Sequence, residues 1–272
     1  MSKELCSLRP LVVLLCGLAL ILALGIAGNE LVCRQTLYGA AGAGAAVARA
    51  APSARDVDAR ESVAPSRYSV SDFTRQLSRG EQLAWTRLPR YTAKGYRLSS
   101  LPGSVRAELR RFHARARRAP EERNGHLHGG VQLASLQHSA LEKKLEKCLR
   151  EQLEQWTGER ELIFTNSYGP RTYERGSWLA AHGDRAHTHA LSAIVYVGER
   201  GLQKRWALQF VPVGASPASK VVDVFLSAEQ DVLLYESTQP HGRVDPLDGH
   251  GYSVLFLHWR PRDWREHAQK VL

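Results

Sequence analysis

Tyr173–Asp184 reads YERGSWLAAHGD, and the His182-Gly183-Asp184 triplet at its end decides how the rest of the chain is read. Alternate residues of a strand point to one face, so His182 and Asp184 can grip one ion together. Non-haem Fe(II) is held on one face by two histidines and a carboxylate, which leaves positions open for other ligands. The second histidine has to come from elsewhere, and His241 in ESTQPHGR (236–243) fits, since it follows the strand-like DVLLYES (231–237). An HxD triplet alone arises by chance in many proteins. Here it closes a longer pattern, Tyr173-x2-Gly176-x2-Leu179-x2-His182-x-Asp184, and the strand-like ALSAIVYV (190–197) comes directly after it.

Working outward, the period of the apolar residues changes at Gly158. Beyond it, period 2 and short apolar runs predict strands over Glu161–Thr165, Leu191–Val197, Trp206–Val211, Val221–Phe225, Val232–Tyr235 and Tyr252–Trp259. Before it the period is helical. One helix runs from Ser71 through Leu77 toward Leu83. A second is capped by Ser104, carries Val105, Leu109, Phe112 and Ala116 on one face, and is stopped by Pro120. The third, Ser139 to Trp156, has a Ser139/Glu142 capping box, a Leu141-Leu145-Leu149-Leu153-Trp156 face and Gly158 as its C-terminal cap. Helices first and strands afterwards predict an α+β chain with a jelly-roll or sandwich core braced by N-terminal helices. The expected organisation is a stub and apolar segment (1–37), a linker (38–66), a helical supporting region (67–160) and a β core (161–272).

Leu11 to Gly28 is apolar without a charge, and as a helix it reaches ~27 Å, close to the ~30 Å of a bilayer core. Lys3 and Arg9 precede it and Glu30 follows, which predicts a signal anchor with a cytosolic N-terminus and the remainder in the endoplasmic reticulum or Golgi lumen. The alternatives are a cleaved signal, giving a secreted protein, or an organelle transit peptide suggested by the Ala/Arg bias of Ala40 to Arg55. The linker, with GAAGAGAAVARAAPSAR at its heart, has too little apolar content to fold on its own. The net charge of +10 is concentrated between Arg106 and Arg123. No aromatic platform accompanies that stretch, so it reads as a solvated helix face and no nucleic-acid partner is expected. Of Cys6, Cys16, Cys33 and Cys148, only the last lies in the expected folded region, as a small buried helix residue or as the partner of Cys33 in an oxidising lumen.

From roughly Leu141 to Pro261 the chain resembles the 2-oxoglutarate/Fe(II) dioxygenases, within them the prolyl 4-hydroxylase-like group. The resemblance rests on YGPRTYERGSWLAAHGDR, THALSAIVYV, DVLLYES and HGRVDPLDG followed by a strand ending in LHW. It implies a double-stranded β-helix with iron inside one end, held by His182, Asp184 and His241. It also implies 2-oxoglutarate on Tyr173, ascorbate as the supporting reductant, and a peptide or protein substrate hydroxylated at prolyl residues. Oxidative decarboxylation of 2-oxoglutarate would be coupled to hydroxylation of a C–H bond.

One position departs from the family pattern. Family members carry Lys or Arg ten residues after the distal histidine, to pair the far carboxylate of 2-oxoglutarate, and that position here is Gly251. Ser253 is what remains of the Arg-x-Ser pair of related enzymes; the cation then comes from Arg243, two residues from His241, or from His250. A second reading of the same gap is a non-catalytic jelly-roll binding module. Other histidines offer rival metal readings: a zinc cluster of His182, Asp184, His187 and His189, or His250 in place of His241. Arg171 and Arg185 flank the motif, either as solvent charges or as residues that orient substrate. His258, His113, His126, His128 and His138 read as surface or satisfied core residues, and Trp178 and Trp259 as packing aromatics.

Overall fold

A computed structural model of the chain describes residues 62–122 and 125–272. Strands β1 (Val63–Ser69), β2 (Tyr96–Ser99), β3 (Ala119–Pro120), β4 (Leu127–His128) and β5 (Val131–Leu133) precede the long helix Ala140–Thr157. After it come β6 (Ile163–Tyr173), β7 (Trp178–His182), β8 (Leu191–Arg200) and β9 (Leu208–Phe210). The last four are β10 (Lys220–Val224), β11 (Val232–Glu236), β12 (His241–Arg243) and β13 (Gly251–Arg260). They build two antiparallel sheets, a six-stranded one ordered β1-β10-β9-β12-β7-β4 and a seven-stranded one ordered β2-β11-β8-β13-β6-β5-β3. This is the expected jelly roll, a double-stranded β-helix braced by helices.

The period-2 rule divides each central strand between two cores. Ile194 and Tyr196 of β8, Tyr235 of β11 and Val254 of β13 face Leu179, Leu208, Phe210 and Val224 of the other sheet. Their neighbours Ala193, Val195, Leu234, Leu255, Leu257 and Trp259 face the helices instead, against Val105, Leu109, Leu145, Leu149 and Leu153. Covered on both faces, β8 and β13 therefore read as continuous apolar runs rather than alternating ones. Each of the fully buried leucines of helix Ala140–Thr157 contributes about 1.5–3 kcal/mol by burial, which locks the helix onto the sheet.

The local structure departs from expectation at several points. The first helix is two, Val70–Thr74 and Arg79–Arg87, because Ser78 interrupts it as an N-cap. Ser78 Oγ accepts from Glu81 N, and the Glu81 carboxylate accepts from Ser78 N at 2.8 Å. The next helix starts at Gly103 with Pro102 at its cap, so Ser104 lies inside it, and it ends at Arg115, well before Pro120. Pro120 sits in β3. Ser139 does cap the long helix, accepting from Glu142 N at 3.0 Å, but the Glu142 carboxylate accepts from His138 N and Ser167 Oγ, so only half of the capping box forms. Gly158 closes the helix at φ 79°, in the left-handed region.

The expected division of the chain also shifts. β1 begins at Val63, inside the expected linker, and β2 to β5 lie in the expected helical region. β2 to β5 are too short to show a period on their own, β1 carries a proline in VAPSRYS rather than an apolar alternation, and all become strands by pairing: β1 with β10, β2 with β11, β3 with β5, β4 with β7, and β5 with β6. Within the basic stretch, Arg106 turns inward to the buried Asp231 at 2.6 Å. Cys148 is buried at 1% exposure. The apolar segment Leu11 to Gly28, the linker before Ser62 and Cys6, Cys16 and Cys33 lie outside the described residues. Among the described residues no helix is long and apolar enough to cross a membrane.

Candidate metal centre

β12 lies between β7 and β9, and the antiparallel register sets His241 directly opposite His182, with Phe210 on its other side. The two imidazoles are 4.5 Å apart between centroids. Gly242 permits this approach, since a Cβ there would come within 2.9 Å of the carbonyl oxygens of Leu179 and Ala180. Asp184 falls just past the end of β7, in a turn anchored by its N–H donating to Ser237 O at 2.9 Å. Asp184 Oδ1 lies 3.9 Å from His182 Nε2 and 3.8 Å from His241 Nε2, and the three candidate ligand atoms all fall within 4.8 Å of one another. The backbone thus brings together the two histidines and the carboxylate that the sequence singled out.

The surroundings prepare these groups as ligands. His182 Nδ1 lies 2.9 Å from Ala180 O and His241 Nδ1 lies 2.9 Å from Gln239 O. A carbonyl can only accept, so each Nδ1 carries a proton and each Nε2 is the ring atom turned toward Asp184 and a metal. Burial pushes His182 down to about 3, with the neighbouring His241 adding to the effect, so it is neutral at ordinary pH. Burial alone would raise the Asp184 carboxyl; the surrounding His241, His258, His189 and His182 outweigh it and hold the carboxyl below its usual range. Tyr235 Oη donates to Asp184 Oδ2 at 2.8 Å, orienting the carboxylate and leaving Oδ1 toward the histidines. Two imidazoles and one ionised carboxylate on one side of a cavity suit Fe(II) with open positions.

That cavity measures about 500 Å³ and continues inward past the triad to Tyr173 and Arg243. Arg243 is 2% exposed; its Nη1 donates to Trp206 O at 2.6 Å, and its guanidinium lies over the Trp206 and Tyr252 rings. Arg243 Nη2 is buried without a hydrogen-bond partner. Such a donor on a cationic group is costly unless an anion completes it, so the residues present fit a carboxylate cosubstrate. Tyr173 is fully buried and its hydroxyl accepts from Arg171 Nη1 at 3.1 Å, which leaves the phenolic proton for another acceptor. Leu179, Ile194, Leu208 and Val254 give the cavity apolar walls.

Arg171 also lines the cavity, but Glu121 already pairs with it through two bonds, Nε to Oε2 at 2.7 Å and Nη2 to Oε1 at 2.6 Å. Ser253, expected at the cosubstrate, faces away from the cavity. Its hydroxyl shares a 2.9 Å hydrogen bond with that of Thr172 and does not line the cavity, because Val254, Phe256 and His258 occupy the inward positions of β13. Gly251 shares the outward parity, and a Cβ there would face Arg200 and Thr172. The family's cationic position therefore points away from the cavity in this chain.

The rival metal readings do not assemble. His250 packs against Gly201 and is absent from the cavity wall, and His187 is exposed. His189 instead stacks on His258 at 3.8 Å between centroids. His258 is a buried, hydrogen-bonded residue, one of the two readings its sequence offered: it is 6% exposed, shares a 2.7 Å hydrogen bond with Ser192 Oγ, and in addition lines the cavity 3.9 Å from Asp184 Oδ2. Burial, followed by the neighbouring His189, pushes it down to about 3. The signal for its place on the cavity was the period 2 of Val254, Phe256 and His258. His126, Tyr168 and Tyr235 line the cavity as well, and the His126 ring stacks 5.0 Å from that of His182. Trp259 packs in the core as expected, and Trp178 stacks on His128.

No family model and no curated protein matches the chain. Among solved structures, it is similar to a Pseudomonas putida prolyl-4-hydroxylase at 17% identity and a TM-score of 0.45, covering 66% of this chain and all of that one. It is also similar to HygX from Streptomyces hygroscopicus with nickel, 2-oxoglutarate and hygromycin B bound, at 16% identity and a TM-score of 0.48, over 62% and 84% of the two chains. A third is a Trichoplax adhaerens prolyl hydroxylase in complex with a hypoxia-inducible-factor peptide fragment, at 14% identity and a TM-score of 0.46, over 69% and 93%. The solved structures it resembles also include an oxidoreductase of the 2OG-Fe(II) oxygenase family from Burkholderia pseudomallei, at 15% identity and a TM-score of 0.46, over 72% and 93% of the two chains.

Proposed function

We propose that this chain is an Fe(II)- and 2-oxoglutarate-dependent hydroxylase acting on prolyl residues of a peptide or protein. The observation that carries the reading is the convergence of His182 Nε2, His241 Nε2 and Asp184 Oδ1 within 4.8 Å, with both Nδ1 atoms held by backbone carbonyls. When bound, the iron and 2-oxoglutarate supply oxidative decarboxylation coupled to C–H hydroxylation. The chain's own residues do the rest. His182, Asp184 and His241 hold the metal from one side, Tyr235 fixes the carboxylate, and the Arg243 guanidinium and Tyr173 hydroxyl bind the cosubstrate's far carboxylate. The apolar walls keep water from that end of the cavity. Ascorbate serves as the reductant that keeps iron ferrous. With Leu11 to Gly28 as an anchor, the domain would work in the secretory lumen, which a protease-protection assay on microsomes tests.

The experiment is succinate release from 2-oxoglutarate with Fe(II) and ascorbate, comparing wild type with His182→Ala and Asp184→Ala. Loss of turnover in both variants is expected, and equal turnover in all three would remove the assignment. The rival reading, a non-catalytic jelly-roll module, rests on the glycine at position 251, and the buried Arg243 in the cavity favours the hydroxylase over it.

A further inference from the structure

A second concave surface, of about 380 Å³, adjoins the candidate iron cavity. Arg185, Arg260 and Arg265 line it together with Phe164, Thr165 and Asn166 of β6, and none of its lining residues is acidic. Asn166, Arg185 and His189 belong to both surfaces, so the groove leads into the cavity. Among the described residues none of the three guanidiniums pairs with a carboxylate, whereas the adjacent Arg262 pairs with Glu161 at 3.5 Å. Arg185 and Arg265 are exposed. Arg260 is fixed by two bonds from its Nη1, to Pro261 O at 3.2 Å and Arg262 O at 3.1 Å, and its Nε is buried without a partner. Partial burial and then the like charge of Arg265 hold Arg260 below its ordinary value, so the cations are close enough to repel one another. Three uncompensated cations beside an active-site mouth attract an anionic ligand.

The reading above narrows the kind of anion: a hydroxylase of prolyl residues takes a peptide, and a peptide carries its negative charge on Asp and Glu side chains, which the unpaired guanidiniums of Arg185, Arg260 and Arg265 would attract. Resting on the hydroxylase reading above, we infer that this groove holds an acidic stretch of the peptide or protein substrate, flanking the residue presented to the iron.

The test is fluorescence anisotropy on the full chain with fluorescein-labelled Glu-Pro-Gly repeats and their Gln-Pro-Gly counterparts. The acidic peptide should bind at least about fivefold tighter at low salt, and the difference should collapse at about 0.5 M salt. The Arg185→Gln/Arg265→Gln double variant should erase the preference, with circular dichroism reporting its fold; both side chains are exposed and make no structural bond. Arg185→Glu/Arg265→Glu should turn the preference toward a Lys-Pro-Gly peptide. Equal binding of acidic and neutral peptides, or an unchanged preference in the double variants, overturns the inference while succinate release still judges the hydroxylase. Binding of a sulfated oligosaccharide through the same arginines, with no binding of the acidic peptide, overturns it as well. Loss of the hydroxylase assignment, seen in succinate release and not in anisotropy, removes the substrate role from the groove.

Discussion

Replacing Arg243 with Met separates the two buried arginines of the cavity by opposite signatures. In the free protein Arg243 gives one hydrogen bond to Trp206 O and lies over two aromatic rings, while its Nη2 has no partner. Met keeps the volume, gives up those contacts and removes a desolvated charge, so stability should move by no more than about 1–2 kcal/mol in either direction. With a dicarboxylate bound, the same substitution strips a buried carboxylate of its cation. That costs about 2–4 kcal/mol, or a rise of about 30- to 1,000-fold in the 2-oxoglutarate dissociation constant. Arg171 behaves the other way. Its Met variant leaves Glu121, whose side chain is 4% exposed, with the Tyr168 hydroxyl but no cation, which should lower stability by about 3–5 kcal/mol and change cosubstrate affinity far less. Calorimetric titration of 2-oxoglutarate into nickel-loaded protein, together with thermal unfolding of the same samples, reads both quantities. Wild-type affinity in Arg243→Met, with the loss appearing in Arg171→Met instead, would refute the assignment of Arg243.

Three further outcomes follow from the same geometry. Adding Arg at position 251 to the Arg243→Met variant should not restore cosubstrate binding, because a side chain there starts toward Thr172 and Arg200 on the outer face; recovery in the titration would show that the strand's parity is misread. Nickel or manganese at about a hundred times its dissociation constant should add about 3 kcal/mol and raise the unfolding midpoint by roughly 6–12 °C, and His241→Ala should abolish the shift. Tyr235→Phe should keep the ring's packing against Phe210 and His241 but lose the bond to Asp184, weakening metal binding by about 10- to 100-fold in a competition titration; an unchanged constant would show that the hydroxyl does not orient the carboxylate.

Half of the metal site is legible in the sequence because its geometry is local: His182 and Asp184 are two residues apart at the end of one strand. His241 is offered by its place after the strand-like DVLLYES, and the pairing of β12 with β7 is what sets it opposite His182. The helices are legible for a similar reason, since Leu141, Leu145, Leu149 and Leu153 repeat over one face of one segment. Strands β1 to β5 are not, because each is held by pairing with another strand, for β1, β2, β4 and β5 one far along the chain, rather than by its own pattern. The cosubstrate half fails on parity. Counting ten residues from His241 to Gly251 assumes that the loop between β12 and β13 delivers the strand with a fixed face inward. A period of two assigns faces only once one residue is anchored, and here the anchors lie further along: Val254, Phe256 and His258 on the cavity, with Tyr252 inside against Trp206. Gly251 and Ser253 then fall outside by the same count, and the inward cation is left to β12, where Arg243 sits on the strand that already carries a metal ligand.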